Sequence, residues 1–164
     1  DPYLSRGLGD VYKRQLAATG ELDLKIGGPS LSLTDAKNNR RTIYGTIHRR
    51  EMSTMLLTHD FPDPTAHSPA RQNTTTALQG LYALNGPLIL NRAEALARRL
   101  TKDEPDEPAR IRLAYRLLFS REPSPRETEI GVAFLGEAKD ADRSAAWTQY
   151  AQVLLASNEF LYVD

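Results

Sequence analysis

Three histidines, His48, His59 and His67, are the residues of this chain that most readily bind a metal ion. Zinc needs three or four imidazole or carboxylate ligands that converge on one point, and Asp60 and Asp63 could add carboxylates. The spacing of these residues matches no known ligand pattern, and aspartate in a proline-rich loop also forms Asx turns. The sequence therefore favours loop formation over a metal site, with the three histidines kept as candidate ligands.

A second set of candidates is the four arginines that flank residues 42–48, together with Arg71, since guanidinium groups bind carboxylates and sulfates bidentately. These arginines are Arg40, Arg41, Arg49, Arg50 and Arg71. The wider polar cluster that could contact a ligand consists of Arg41, Tyr44, Arg49, Arg71, Gln79 and Asn85. A sulfated or carboxylated glycan would suit such a site. The alternative is that the arginines pair with acidic side chains or cap backbone carbonyls.

Some of these polar residues also have a simpler interpretation at the ends of a predicted helix. The Thr74–Thr76 run offers hydroxyl N-caps, and Asn85 suits a helix end before Gly86. Gln79 has no such role by its position. If Gln79 is buried, it is predicted to bond to the backbone of a neighbouring loop.

No pattern in the sequence assembles a catalytic centre. The chain has no cysteine, which excludes disulfides, thiolate ligands and covalent attachment of a c-type haem within this segment. No Gly-x-Ser-x-Gly motif presents Ser30 or Ser68 as a nucleophile. We therefore predict no catalytic residue and no cofactor for this segment, and favour a non-enzymatic role.

The composition indicates one globular domain. Hydrophobic residues make up 40% of the 164 positions and charged residues 26%, which is enough apolar material for a core. The 21 basic and 21 acidic residues leave no net charge to attract nucleic acid. No apolar run approaches the roughly 20 residues that span a bilayer, so no membrane-spanning segment is expected.

The first residues resemble a cloning remnant. Ser5–Gln15 reads SRGLGDVYKRQ, and Asp10–Gln15 corresponds to the translated end of a transposase-based sequencing adapter. Such a remnant is excluded from fold reasoning, as a tag would be. Residues 1–15 are therefore predicted to be disordered and residues 16–164 to form a single domain, the C-terminal fragment of a larger protein.

Two kinds of structure are predicted within residues 16–164. Residues 16–73 are a loop-rich segment, in which the alternation at Leu22, Leu24 and Ile26 and the β-branched content of Thr42–His48 favour short strands. A helix tail ends near Gly20, and residues 52–61 could form a short helical turn.

Residues 74–164 repeat apolar side chains with the 3.6-residue period of helices. Ser124 followed by Pro125 and Glu127 forms a capping box, the clearest helix start in the chain. The apolar faces are assigned to Leu78, Leu81, Tyr82; Ile89, Ala93, Leu96, Ala97, Leu100; Ile111, Ala114, Tyr115, Leu118; Ile130, Ala133, Phe134; and Ala146, Trp147, Tyr150, Val153, Leu154. The predicted fold is mainly α, a bundle of about five helices after a small extended or β-containing N-terminal part.

Several segments resemble one known family. They are GGPS at residues 27–30, RRTIYGTIHRR at 40–50, FPDPTAHSPARQNTTTALQGLYALNGPLI at 61–89, RIRLAYRLLFSREPSPRE at 110–127 and SNEFLYVD at 157–164. Together they are similar to the C-terminal domain, of unknown function, of planctomycete-type cytochrome-c-containing surface proteins. The resemblance covers residues 16–164.

The resemblance implies a periplasmic, cell-surface or extracellular location. It also implies an upstream partner domain in the same chain and a c-type haem in an upstream region, but no established activity.

Two functions follow from these observations. The first is a non-catalytic structural or interaction domain that docks onto an upstream domain of a secreted, cytochrome-c-associated protein. The alternative is a carbohydrate-directed binding module, or one wall of a glycan-hydrolysing cleft, based on the arginine-rich segment and the proline loop.

Overall fold

The fold is mainly helical. The computed structural model describes residues 7–35, 37–48, 50–63, 65, 76–139 and 142–162. The α-helices in these ranges are α1 (Gly7–Thr19), α2 (Thr54–Thr58), α3 (Ala77–Asn85), α4 (Pro87–Asp103), α5 (Glu107–Phe119), α6 (Pro125–Gly136), α7 (Arg143–Leu155) and α8 (Asn158–Leu161). The predicted helical region corresponds to α3–α7, and the short helical turn predicted in residues 52–61 corresponds to α2.

Local signals in the sequence set several helix ends. Ser124 starts α6 with the predicted capping box, because its hydroxyl accepts from the Glu127 N–H and the Glu127 carboxylate accepts from the Ser124 N–H. Asp106 starts α5 by accepting from the Ala109 N–H at 3.0 Å. Ser157 does the same for α8, which the periodicity did not predict, through the Phe160 N–H.

The bundle core lies among α4, α5, α6 and α7, and α4 packs most extensively against α7. The predicted apolar stripe of α4 is confirmed, since Ala93, Leu96 and Leu100 are fully buried. On α7, Trp147 and Tyr150 are buried as predicted, whereas Val153 is 61% exposed. Trp147 is therefore a core residue and no platform for a sugar ring.

The predicted apolar face of α6 is wrong, and that of α3 is right only at Tyr82, which is half-buried. On α3, Leu78 and Leu81 are 60% and 56% exposed, and the buried residue is Ala83. On α6, Ile130 is 58% exposed, because this helix turns the face with Gly131 toward the bundle. The interior face of α6 combines Gly131 with the fully buried Leu135, and a Cβ at Gly131 would lie 2.8 Å from the Tyr150 hydroxyl, which leaves no room there for a longer side chain.

The predicted β-containing part is also wrong, because no strand occurs in the described residues. Thr42–Tyr44 forms a 3₁₀ turn, and two isolated bridges join Asp23 to Arg40 and Leu31 to Gly45. The physical reason is competition for backbone carbonyls. Carbonyl groups between residues 25 and 29 accept from the Arg40 side chain rather than from a neighbouring strand.

The prediction that residues 1–15 are disordered is wrong for residues 7–15, which lie in α1. Tyr12 and Leu16 are 1% and 0% exposed, and the Tyr12 hydroxyl donates to the Asn38 carbonyl. An apolar face at positions 12 and 16, spaced for a helix, is buried against the loop-rich segment. Residues 1–6 lie outside the described residues, and the adapter origin of Ser5–Gln15 stays a prediction.

A second, smaller apolar cluster joins the loop-rich segment to the helices. It consists of Tyr12, Leu16, Leu33, Met55, Leu56 and Leu88, with Leu22, Met52, Phe61 and Tyr82 packed against it. Both α1 and α4 contribute to this cluster and to the bundle core. In the ranges given above, no helix has the length and hydropathy needed to cross a membrane.

Candidate functional site

The Arg40 side chain holds the glycine-containing loop of residues 25–29. Its guanidinium donates to the carbonyl oxygens of Pro29 at 2.7 Å, of Lys25 at 3.4 Å and of Gly27. The guanidinium carbon lies 3.9 Å from the centroid of the Tyr44 ring, within cation–π range. Arg40, only 8% exposed, is therefore used to shape the loop rather than to bind an external anion.

Tyr44 and the two glycines complete this arrangement. The Gly27 N–H donates to the Tyr44 phenolic oxygen at 3.0 Å, and Gly27 and Gly28 have φ values of 80° and 91°. Only glycine adopts such angles at little cost. The hydrogen bond from Gly27, with smaller effects of Arg41 and Arg40, holds the pKa of Tyr44 below its usual value. The loop is thus fixed by one arginine and one tyrosine.

Two members of the predicted polar cluster, Arg41 and Tyr44, are neighbours. The Arg41 guanidinium carbon lies 5.6 Å from the Tyr44 ring centroid, while Arg40 contacts the same ring more closely. The Arg41 Nε is buried without a hydrogen-bond partner in the described part of the chain. Arg49 and Arg71 lie outside the described residues, so the predicted anion site is described only at this pair.

Gln79 has a capping role that the sequence interpretation missed. Its side-chain oxygen accepts from the Thr76 N–H at 3.3 Å, and its backbone N–H donates to the Thr76 hydroxyl. Its side-chain nitrogen donates to the Asp60 carboxylate at 3.2 Å. Gln79 is only partly buried, so the condition for its predicted bond to loop backbone is not met, and its contact is with the Asp60 side chain. The spacing Thr-x-x-Gln was the available signal, because glutamine at the third helical position completes a capping box.

Asn85 is separate from the other members of the cluster. Its side-chain nitrogen donates to the Leu81 carbonyl at 3.3 Å, within the last turn of α3. No hydrogen bond or ring contact between described residues joins it to Arg41, Tyr44 or Gln79. The structure thus divides the predicted cluster into a pair, a helix start and a helix end.

The histidines do not form a shared centre in the part of the chain described. His48 is exposed, whereas His59 donates from Nδ1 to the Met55 carbonyl at 2.9 Å and packs edge-to-face against Tyr82. His67 lies outside the described ranges. Among the residues that are described, no group of three or more histidine, aspartate or glutamate side chains could hold a metal ion.

A buried arginine on α4 carries a polar network that the sequence interpretation missed. Arg92 is 2% exposed and donates to the Glu21 carboxylate at 2.6 Å. It also donates to the Asn39 side chain at 3.2 Å and to the Asn38 carbonyl at 3.1 Å. The sequence signal for its burial was its position, three residues after Ile89 on the apolar stripe of α4. This network joins α4 to the loop-rich segment.

A second network, also missed, surrounds Arg121 in the loop between α5 and α6. Its guanidinium donates to Glu127 at 2.8 and 2.9 Å and to Glu159 at 2.7 and 2.8 Å. The bond from Arg121, with a further bond from the Ser124 N–H, lowers the pKa of Glu127 to about 2. The network attaches α8 to the start of α6, which is a structural role.

These contacts give most of the polar side chains described above a structural role. The described arginines with the best-defined partners donate to backbone carbonyls or to carboxylates of the same chain, and the predicted ligand cluster is not assembled among the described residues. Exposed apolar side chains on the loop-rich segment remain open to a partner, including Ile26 and Ile43, each 81% exposed.

Comparison with known proteins places the chain in a family. Neither a search of curated proteins nor a search of solved structures gave a match. The sequence model of PSD1, described as a protein of unknown function (DUF1553), matches residues 10–135. This match extends from α1 into α6 and includes the Arg40–Tyr44 contact. Since it spans well over half of the chain, the protein belongs to the PSD1 family of proteins of unknown function (DUF1553).

Proposed function

We propose that this domain is a non-catalytic interaction module that docks onto an upstream domain of a secreted, cytochrome-c-associated protein of planctomycete type. Membership of a family of unknown function supports the general part of this proposal. The secreted location and the cytochrome association are supported by the resemblance of the segments around residues 27–50 and 110–127. An upstream domain of the same protein is the proposed partner.

The proposed haem belongs to a different part of that protein. Covalent attachment of a c-type haem requires cysteine thiols, and this chain has no cysteine. The residues of this domain therefore do not fit a c-type haem. The proposed role of the domain is to dock onto an upstream domain of the protein that carries the haem.

The observation that carries the proposal is exposed apolar surface on a fixed loop. Ile26 and Ile43 are each 81% exposed, and Leu24 is 66% exposed. Ile26 precedes Gly27 and Ile43 precedes Tyr44, so the hydrogen bond from the Gly27 N–H to the Tyr44 phenolic oxygen links the two segments that carry these isoleucines. Exposed large apolar side chains on linked segments are typical of interaction surfaces.

The rigidity of the loop favours binding. Complete burial of one isoleucine side chain is worth about 1.5–3 kcal/mol, and association is weakened by the entropy of ordering flexible groups. Arg40 already holds the carbonyls of residues 25–29, so this part of the surface is ordered before a partner arrives. Two isoleucines held in this way can contribute most of a modest affinity.

Hydrogen exchange in the full-length natural protein tests this proposal. We expect amides in residues 23–31 and 42–48 to exchange at least about tenfold more slowly than in the present chain alone, because docking stabilises both segments by roughly 1.4 kcal/mol or more. The double variant Ile26→Ser/Ile43→Ser should restore the faster exchange in the full-length protein.

Ile130→Ser is the matched control, because Ile130 is 58% exposed on α6. This control should leave the slow exchange unchanged, and circular dichroism should show that all variants keep their helical content. Equal exchange rates in the two proteins, or an equal effect of the control, would refute the docking proposal.

A further inference from the structure

A cleft of about 350 Å³ lies where the loop-rich segment meets α2. Five hydroxyl side chains line it, from Ser32, Thr34, Thr46, Ser53 and Thr54. The remaining polar lining consists of one imidazole and one carboxylate, and the apolar lining consists of Leu33, Met52 and Leu56. Its volume is at the lower end of the range for small-molecule sites, which is about 300–1,000 Å³.

One wall of the cleft is an extended segment that is fixed by backbone bonds. The Thr46 N–H donates to the Leu31 carbonyl at 2.8 Å. Alternate residues of an extended chain point to opposite sides, and Thr46 and His48 both line the cleft while Ile47 is 41% exposed. The wall therefore presents a hydroxyl and an imidazole side by side.

The carboxylate and the imidazole come from the same turn. The Glu51 N–H donates to the His48 carbonyl at 3.2 Å, and this bond closes a turn that holds the two residues near each other. Within the described residues, no hydrogen bond or ion pair occupies either side chain. The Glu51 carboxylate is consequently able to accept hydrogen bonds from a molecule in the cleft.

The residues that line the cleft indicate which kind of ligand it can bind. Among the described residues, no lysine or arginine lines the cleft, so the Glu51 carboxylate would repel an anion. One imidazole and one carboxylate fall short of the three ligands that a zinc site needs. A wholly apolar ligand would keep water from the hydroxyls of Thr46 and Thr54, which is costly, whereas Ser32 and Thr34 bond to each other and Ser53 caps α2. A neutral ligand that carries both hydroxyl groups and a C–H face satisfies all parts of the lining.

We infer that this cleft binds a neutral sugar residue. Two neighbouring sugar hydroxyls donate to the Glu51 carboxylate, the serine and threonine hydroxyls exchange hydrogen bonds with the others, and a C–H face packs on Leu33 and Met52. Neither Ile26 nor Ile43, which carry the proposed docking, lines the cleft, and neither Arg41 nor Tyr44 does.

Nuclear magnetic resonance on the ¹⁵N-labelled chain tests the inference, with the methyl glycosides of glucose, galactose, mannose and xylose as probes. At least one glycoside should shift the amide signals of Thr46, His48 and Glu51 in a saturable manner. Glu51→Ala should weaken the binding of that glycoside at least tenfold, since the substitution removes a charged hydrogen-bond acceptor.

Glu129→Ala is the control, because Glu129 is an exposed carboxylate on α6 outside the cleft. It should leave the affinity unchanged, and the dispersion of the spectra shows that each variant is folded. Sodium sulfate serves as the charged probe and should not shift the three amides. The inference is refuted if none of the four glycosides shifts them, if sulfate alone does, or if both variants weaken binding equally.

Discussion

Arg40 and Arg92 donate their side-chain hydrogen bonds to groups of the same chain. Arg40 donates to three backbone carbonyls, and Arg92 donates to one carbonyl, one amide oxygen and Glu21. Removing a charged group from water is costly unless its donors are satisfied, and carbonyl oxygens of a loop can satisfy them. This explains why an arginine-rich segment can resemble an anion site in sequence while its most buried member serves the fold.

Gln15 is a polar residue in a buried environment that does not satisfy its side chain. It is 1% exposed, and its side-chain nitrogen has no hydrogen-bond partner among the described residues. A buried amide donor without a partner costs about 1–3 kcal/mol. We therefore expect Gln15→Leu, which keeps a similar volume, to raise the free energy of unfolding in urea by at least about 1 kcal/mol.

The control for this change is Lys13→Leu, at an exposed position of the same helix. It should alter stability by less than about 0.5 kcal/mol. A loss of stability in Gln15→Leu would show that the amide nitrogen has a favourable role that the contacts do not reveal. Gln15 is also the last residue of the predicted adapter stretch, and a gain is the result expected for a residue that was not selected for its position.

At the scale of elements, helix ends were predictable and helix faces were less so. Ser124 and Glu127 form their capping box within four residues, so the signal is complete in the local sequence. Which face of a helix is buried depends on the neighbours instead. The leucines of α3 have the period of a buried face, yet Leu78 and Leu81 are exposed because Ala83 faces the interior.

The wrong strand prediction has a related cause. The alternation at Leu22, Leu24 and Ile26 is a local pattern, whereas the bonds from Arg40 to the carbonyls that follow come from a residue well over ten positions away. The candidate site was predictable to the same limited extent. The pairing of Arg41 with Tyr44 follows from their closeness in sequence, but the cleft lined by Ser32 and Glu51 forms only when distant segments meet.

Gly131 is the residue that allows α6 to approach its neighbours. A Cβ at this position would lie 2.8 Å from the Tyr150 hydroxyl and 3.0 Å from the Ile111 Cδ1, so these buried side chains would have to shift. We expect Gly131→Ala to lower the free energy of unfolding by about 1–3 kcal/mol, the usual cost of an overpacked core. Urea denaturation followed by far-ultraviolet circular dichroism measures the change.

Gly80→Ala, on α3, is the matched control, because a Cβ at Gly80 would have no neighbouring atom of the described residues within 4 Å. Alanine favours a helix over glycine by about 0.5–1 kcal/mol, so this variant should gain stability. The two glycine-to-alanine changes are thus expected to have opposite signs. If Gly131→Ala also gains stability, α6 does not pack as closely as the structure indicates.

For the whole molecule, the question is whether the loop-rich segment and the bundle fold as one unit. Each has its own apolar cluster, but the same helices supply both. On α1, Leu16 lies in the small cluster and Ala18 in the bundle core; on α4, Leu88 and Ala93 are divided in the same way. A rigid helix cannot lose one of its two contacts without straining the other, which favours a single transition.

The distribution of two rare residue types allows this to be measured without any substitution. The single tryptophan, Trp147, lies in the bundle core, and the only two methionines, Met52 and Met55, belong to the small cluster. Tryptophan fluorescence and the ¹³C-methyl signals of the methionines should therefore give the same urea midpoint, because α1 and α4 couple the clusters. A lower midpoint for the methionines would mean that the loop-rich segment opens first, and the surface around Ile26 and Ile43 would then be ordered independently of the bundle.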